Sequence, residues 1–124
     1  MIHARRPWTA VEVEGLIDAV YRGQREALKV PADDRNIRYV EHDPAHFAVP
    51  PDATERFILI EITLFPGRSV EAKTALQRNI VTNLGLLGVA PGDVFVILNE
   101  PPIVNWAVRG VPGAELQIGF SLDV

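Results

Sequence analysis

The segment FILIEITLFPGRSVEAK, residues 57–73, decides the fold of this chain. Its first nine residues include only two polar side chains, Glu61 and Thr63, and such a run of β-branched and aromatic residues is typical of a strand covered on both faces. Pro66-Gly67 has the chemistry of a tight turn, and helix-forming residues follow it. The segment therefore predicts a strand, a turn and a helix in immediate succession.

Arg68 lies on this turn, just beyond the carboxyl end of the predicted strand. In βαβ proteins ligands usually bind at that rim, so Arg68 is a candidate contact for an anionic ligand. An arginine on a turn is also commonly a solvated surface residue. The residue pattern alone leaves both interpretations open.

The chain contains an internal duplication. When it is shifted by 59 positions its two halves align without a gap, with Pro7 on Pro66 and Glu12 on Glu71. A long period with two copies is typical of a duplicated supersecondary unit, and each unit reads strand, helix, strand. We predict a single domain over residues 1–124, with pseudo-repeats at about 1–43 and 57–102 and a further strand at 116–124.

The first unit has a helix-start signal at Thr9 and Glu12, which have the spacing of a capping box. The helix is expected to end before Val30-Pro31, because proline disfavours helical geometry in the residue that precedes it. A second strand is predicted at Arg35–Glu41, followed by a proline-containing loop at 42–55.

The second unit repeats this order. Ser69 is expected to cap its helix, Gly85 and Gly88 to end it, and VFVIL (94–98) to form a buried strand. Residues 105–112 are predicted to form an ordered loop. In 116–124 apolar residues alternate with polar or small ones, which predicts a half-buried strand that pairs with a neighbouring subunit.

Composition limits the classes of function. The chain has 124 residues, 48% of them hydrophobic, and a formal net charge of -4, so we expect a globular protein that does not bind nucleic acid. It has no cysteine, and the histidines His42 and His46 have Pro44 between them, so no metal site is predicted. No apolar run is long enough for a membrane span and no signal sequence opens the chain, which predicts a cytoplasmic protein without membrane contact or cofactor.

Three segments carry a resemblance to a known family: VPADDR (30–35), FPGRSVEAK (65–73) and DVFVILNEPPIVNWAVRG (93–110). They resemble the tautomerase superfamily, and in particular its longer members of the malonate semialdehyde decarboxylase and cis-3-chloroacrylic acid dehalogenase kind. The second segment matches the turn with the catalytic arginine of that family. The similarity covers most of the chain.

The resemblance implies an α/β fold, in which tandem β-α-β units form a four-stranded sheet with two helices on one face, and a homotrimer. It also implies proton transfer on a small 2-oxo acid or its enol, with an amino-terminal proline as the acid–base group. Arg68 would bind the substrate carboxylate and stabilise the enolate, and Asp34 would orient the amine or a water. Phe65 would form an apolar wall, with Trp106 and Arg109 as further substrate contacts.

Several of these residues have an alternative structural interpretation. Asp34 aligns with Asp93 in the repeat, and aspartate in such a turn commonly binds backbone amides. Trp106 is equally well explained as the anchor of a loop, and Arg109 as an exposed loop residue. Both interpretations of each residue remain open at this point.

The sequence departs from the family pattern at two positions. Residue 2 is Ile2 rather than proline, and both the repeat and the family pattern place the expected proline a few residues before Met1, so that the first strand is expected to be clipped. Phe65 stands where decarboxylase and dehalogenase relatives often carry a second arginine, which favours plainer tautomerase chemistry or a binding role.

Three hypotheses follow. The first is a tautomerase-like isomerase that acts on a small 2-oxo acid, impaired if no proline is present. The second is an inactive homologue that serves as a small-ligand-binding or assembly subunit. The third is a ferredoxin-like β-α-β-β-α-β module, whose sheet is antiparallel and has no pocket at the Pro66–Arg68 turn.

Overall fold

Four strands and two helices form the body of the protein, which a computed structural model describes over residues 1–5, 7–31 and 35–116. The strands of the main sheet are β1 (Ile2–Arg5), β2 (Tyr39–His42), β3 (Ile58–Thr63) and β4 (Val94–Asn99). The helices are α1 (Ala10–Leu28) and α2 (Val70–Gly85), and a small hairpin follows with β5 (Ala107–Val108) and β6 (Val111–Pro112). Neither helix combines the length and the apolar character needed to cross a bilayer, within these described ranges.

The sheet is mixed, with the strand order β2-β1-β3-β4. β1 runs parallel to β2, β3 runs parallel to β4, and the two central strands β1 and β3 are antiparallel. A parallel pair needs a crossover connection, which α1 and α2 supply, so each half of the chain is one β-α-β unit. The predicted fold class is confirmed, and the ferredoxin-like alternative is wrong because it requires an antiparallel sheet.

Side-chain capping sets the start of both helices. The Thr9 hydroxyl accepts a hydrogen bond from the Glu12 amide at 3.1 Å while the Thr9 amide donates to Glu12 Oε1 at 2.9 Å, so the predicted capping box is present. Ser69 caps α2 by accepting from the Ala72 amide at 3.0 Å. The capping residues Thr9 and Ser69 lie 60 positions apart, whereas the alignment of the two repeats uses a shift of 59 positions. The structural repeat therefore differs from the gapless sequence alignment by one residue at the turn before each helix.

Both helices pack on one face of the sheet and bury the core there. Ile2, Ile58 and Ile60 of the central strands are fully buried against this layer. The helices approach closely at Gly23, where an added Cβ would lie 3.0 Å from Ile80. On the opposite face of the sheet the described residues place no helix, and apolar side chains are exposed there, with Phe95 at 57% and Ile97 at 42% accessibility.

Three segments outside the two helices and the central strands compare differently with their predictions. β2 begins at Tyr39 and not at Arg35, because the register of the sheet pairs Tyr39 with Ile2, the first residue of β1. The loop expected at 105–112 contains the β5–β6 hairpin. The predicted terminal strand lies outside the described residues from position 117 onward.

Candidate functional site

A cleft with a volume of about 480 Å³ opens where the chain leaves β3 for α2. Four parts of the chain line it: the start of β1, the second half of α1 with the segment after it, the end of β3 with the β3–α2 connection, and the hairpin with the residue before it. The charged groups of its described lining are the Met1 amine, Glu61, Arg68 and Arg109. Most of the remaining wall is apolar and includes Val20, Leu28, Val30, Ile37, Leu64, Phe65 and Trp106.

Arg68 reaches this cleft from the turn between β3 and α2. Gly67 has a φ of 112°, a conformation that L-residues with a side chain rarely adopt, and it turns the chain so that Arg68 points inward. The side chain is 7% exposed, and Nη1 donates to the carbonyl of Leu28 at 2.7 Å. A buried guanidinium is therefore fixed between the end of α1 and the cleft, which excludes the interpretation of Arg68 as a solvated turn residue.

Phe65 and Trp106 form one wall. Their ring centroids are 4.5 Å apart at an angle of 48°, so the two rings pack against each other. The Trp106 indole N–H donates to the carbonyl of Pro101 at 3.0 Å, which holds the ring in place. Trp106 is thus both a loop anchor and part of the cleft lining.

Arg109 lies at the tip of the β5–β6 hairpin, on the rim of the cleft. Arg109 and Gly110 have φ values of 52° and 84°, as in the two-residue turns that match the twist of a hairpin. Gly113 fixes the base of the hairpin: its amide donates to the Trp106 carbonyl at 2.6 Å, and a side chain there would collide with the carbonyl of Ile103. Arg109 is exposed, so its guanidinium is available at the mouth of the cleft.

The start of β1 places an α-amino group in the cleft. The Met1 nitrogen donates to the carbonyl of Glu61 at 2.5 Å. Burial lowers the pKa of this ammonium group below its ordinary value of 8.0; the charge of Glu61 opposes the change and that of Arg38 adds to it. β1 has four residues, two fewer than β3, its counterpart in the second repeat. The proline expected a few residues before Met1 remains a prediction.

Asp34 lies outside the described residues, whereas its repeat partner has a clear structural role. Val30 and Asn36, on either side of the 32–34 gap, both line the cleft. Asp93 is 4% exposed and accepts from the amide of Thr54 at 2.7 Å and from its hydroxyl at 2.6 Å. In the second unit, therefore, the aspartate holds the linker between the two halves.

Three titratable side chains, Glu61, His3 and His42, lie in a row on the sheet face opposite the helices. His3 Nε2 lies 3.5 Å from Glu61 Oε2, and His3 Nδ1 lies 3.0 Å from His42 Nε2. His42 also stacks on Phe47 with ring centroids 4.9 Å apart. In the part of the chain that the structure describes, no group of three or more His, Cys, Asp or Glu side chains is arranged to hold a metal ion.

The predicted site residues that the structure describes, Arg68, Phe65, Trp106 and Arg109, all come together in this one cleft. The predicted site did not include Glu61 or the Met1 amine. Glu61 had a signal in the sequence, because it is a charged residue inside an otherwise apolar strand. With two guanidinium groups, an aromatic wall and a carboxylate, the cleft is suited to a small anion with an apolar part.

Comparisons with known proteins agree on one family. A family model described as a tautomerase enzyme matches residues 34–109. The probable tautomerase YusQ of Bacillus subtilis (strain 168) is 32% identical over 114 residues, which cover 86% of this chain and 88% of that protein. The probable tautomerase RSp0893 of Ralstonia nicotianae is 42% identical over 55 residues, 44% of this chain and 79% of that protein.

Solved structures show the same fold. FG41 malonate semialdehyde decarboxylase, inhibited by 3-bromopropiolate, superposes with a TM-score of 0.83 and 25% identity, covering 94% of this chain and 96% of that one. A fused 4-OT in a symmetric trimer superposes with a TM-score of 0.80 and 22% identity, covering 92% and 94%. A member of the cis-3-chloroacrylic acid dehalogenase family superposes with a TM-score of 0.72 and 21% identity, covering 90% and 80%.

Proposed function

The chain belongs to the tautomerase superfamily, and on that premise we propose that it is an isomerase that moves a proton between carbon and oxygen of a small 2-oxo acid or its enol. The observation that carries this proposal is the meeting of a buried arginine with an apolar aromatic wall in one cleft. A 2-oxo acid has the matching chemistry, since it has a carboxylate at one end and an apolar substituent at the other.

In this proposal Arg68 binds the substrate carboxylate and stabilises the negative charge that develops on the neighbouring oxygen. The bond from Nη1 to the Leu28 carbonyl supports this role, because it holds the guanidinium in one orientation before a ligand arrives. Asp34 assists by orienting a water or an amine.

Phe65 and Trp106 would contact the apolar substituent, and Arg109 would add a second cation at the mouth of the cleft. The packed rings support the first role and the exposed hairpin tip supports the second. Because Phe65 stands at the position of the second arginine of many decarboxylase and dehalogenase relatives, we propose tautomerisation in preference to those two reactions.

A second candidate function is a catalytically inactive homologue that binds a small ligand or serves as an assembly subunit. The observation that favours it is Phe65 at the position of the second arginine of many relatives, because an apolar side chain there suits a binding role.

We further propose that the protein is a cytoplasmic homotrimer that acts on small molecules and not on nucleic acid. The sheet face opposite the helices, on which Phe95 and Ile97 are exposed among the described residues, supports association between copies, because an exposed apolar patch of this kind marks an interaction surface. The trimeric form of the related fused 4-OT supports three copies. The net charge of -4 supports a small-molecule substrate in preference to nucleic acid, because the chain as a whole does not attract a polyanion.

Phenylenolpyruvate ketonisation, followed by ultraviolet absorbance, tests the proposal. We expect slow turnover by the protein, faster turnover by a longer variant that begins with proline, and a loss of about 10²–10³-fold in kcat/KM for Arg68→Ala in both. Arg78→Ala removes an exposed arginine of α2 that does not line the cleft, and it serves as the matched control. If the first two proteins and the control all fail to turn over the enol, the ligand-binding candidate replaces the isomerase.

A further inference from the structure

On the basis of the proposed isomerase function, we infer that Lys73 and Glu100 are positioning residues that select substrates by the size of their apolar group. Their ion pair holds the chain segment with Trp106 against the turn with Arg68. Neither Lys73 nor Glu100 is among the described residues that line the cleft, so the pair acts on a substrate through the aromatic wall.

The ion pair joins two elements at the edge of the cleft. The Lys73 ammonium group donates to Glu100 Oε1 over 2.7 Å. Lys73 lies in the first turn of α2, and Glu100 directly follows β4. The two side chains are 29% and 24% exposed, so solvent ions screen this pair less than one on the open surface. The helix dipole disfavours a cation near the start of a helix, so this lysine stabilises the contact with the end of β4 rather than α2 itself.

A short segment carries the position of Glu100 to Trp106. Pro101 and Pro102 follow Glu100 directly, and proline fixes the backbone angle φ, so this part of the chain is stiff. The Pro101 carbonyl accepts the hydrogen bond of the Trp106 indole N–H at 3.0 Å. Between them Ile103–Asn105 forms a single turn of 3-10 helix. A displacement of Glu100 is therefore expected to move the indole ring with it.

On its other side the ion pair is joined to the turn that carries Arg68. The Lys73 amide donates to the carbonyl of Ser69 at 3.1 Å, and Ser69 is the residue after Arg68. The Leu64 amide donates to the carbonyl of Asn99 at 2.9 Å, which joins the chain just after β3 to the end of β4. The ion pair therefore completes a ring of contacts between the arginine turn and the segment with the aromatic wall.

The separation of these two parts determines which substrates fit. In the proposed reaction the substrate carboxylate binds Arg68, and the apolar substituent contacts Phe65 and Trp106, whose ring centroids are 4.5 Å apart. An indole that is displaced by loss of the ion pair loses its contact with a large substituent. A methyl substituent makes little contact with the ring in either case. The ion pair therefore affects the binding of a bulky substrate more than the proton transfer itself.

Deuterium exchange at carbon 3 of two 2-oxo acids, followed by NMR, tests the inference. Phenylpyruvate has a phenyl ring on that carbon and 2-oxobutanoate has a methyl group, so the two acids differ only in the substituent that meets the aromatic wall. We expect Lys73→Gln and Glu100→Gln each to raise the KM for phenylpyruvate about tenfold, while kcat and the KM for 2-oxobutanoate change by less than about twofold. The double variant should match each single one, because the two residues act as one pair.

Arg56→Gln is the matched control, because it breaks another ion pair that joins distant parts of the chain. Arg56 Nη2 lies 3.0 Å from Glu12 Oε2, and neither residue is in the described lining of the cleft. The control should lower the melting temperature and keep the wild-type ratio of kcat/KM for the two acids. The protein has two tryptophans, so fluorescence in a Trp8→Phe background reports on Trp106 alone. In that background Lys73→Gln should shift the emission to longer wavelength, because the displaced indole gains contact with water.

The outcomes separate this inference from the proposed function. If Lys73→Gln lowers the melting temperature but changes the kinetics with both acids equally, the ion pair only stabilises the fold and the inference is refuted while the isomerase stands. An unchanged Trp106 emission shows that the pair does not position that ring, which also refutes the inference. A wild-type protein that exchanges neither acid refutes the isomerase and the selection by size together, and the emission then still decides whether the ion pair holds Trp106.

Discussion

Asp93 and Asp34 occupy matching positions of the two repeats. We predict that Asp93→Ala lowers the stability of the fold, whereas Asp34→Ala lowers the isomerase activity. Asp93 is 4% exposed and binds Thr54 through two hydrogen bonds of 2.7 and 2.6 Å. A hydrogen bond to a charged partner contributes about 1.5–3 kcal/mol, but Thr54 is exposed, and water replaces part of what is lost. We therefore expect Asp93→Ala to lower the free energy of unfolding by about 2–3 kcal/mol.

Thermal and chemical unfolding measure this change. In a chain of this length about 1 kcal/mol corresponds to roughly 4 °C, so the melting temperature of Asp93→Ala should fall by about 10 °C. Its kcat/KM, measured well below that temperature, should match the wild type. Asp34→Ala should show the opposite, a loss of about 10²-fold in kcat/KM and a nearly unchanged melting temperature. If Asp93→Ala melts like the wild type, or loses activity while folded, the reasoning from its buried hydrogen bonds is refuted.

Three further predictions concern the hairpin, the first helix and the open face of the sheet. Arg109→Asn retains a residue that favours the positive φ of the hairpin turn but removes the cation, so KM for a 2-oxo acid should rise about 3–10-fold without loss of stability, as measured by steady-state kinetics and thermal unfolding. The hydrogen bond from the Thr9 amide, together with Arg56, holds the pKa of Glu12 below its ordinary value of 4.5. The ionised Glu12 carboxylate therefore contributes its full stabilisation above about pH 4.5, and this contribution is lost as the pH falls through the lower pKa of the folded state. Urea unfolding between about pH 3 and 6 should show this loss for the wild type but not for Glu12→Gln. Phe95→Asp places a charge on the exposed apolar face and should convert the proposed trimer to monomers in sedimentation velocity, whereas an unchanged sedimentation coefficient would argue against that face as the contact.

Local patterns in the sequence were sufficient to predict most of the regular structure. The predicted bounds of both helices and of the strands β3 and β4 lie within one or two residues of the observed ones. They were predicted from the apolar run at 57–65, from the capping residues Thr9 and Ser69, and from the glycine and proline residues that end the helices. These signals act between residues a few positions apart, so they are visible without knowledge of the fold. The same holds for Arg68, whose place after a strand and a turn marked it as a site residue.

The site itself depends on contacts between distant parts of the chain. Arg68 is fixed by a carbonyl 40 positions away, and His3 meets His42 across 39 positions. The start of β2 follows from the register of its pairing with β1.

The sequence by itself therefore determined the elements of this protein, the residues of one turn and, through resemblance, the family. The tertiary structure decided which of these residues share a cleft, that a glutamate of a core strand lines it, and that the sheet face opposite the helices exposes Phe95 and Ile97. The physical reason is that helix caps, turns and strand patterns arise from neighbours along the chain. A binding site arises where strand pairing and helix packing bring together side chains that the sequence keeps far apart.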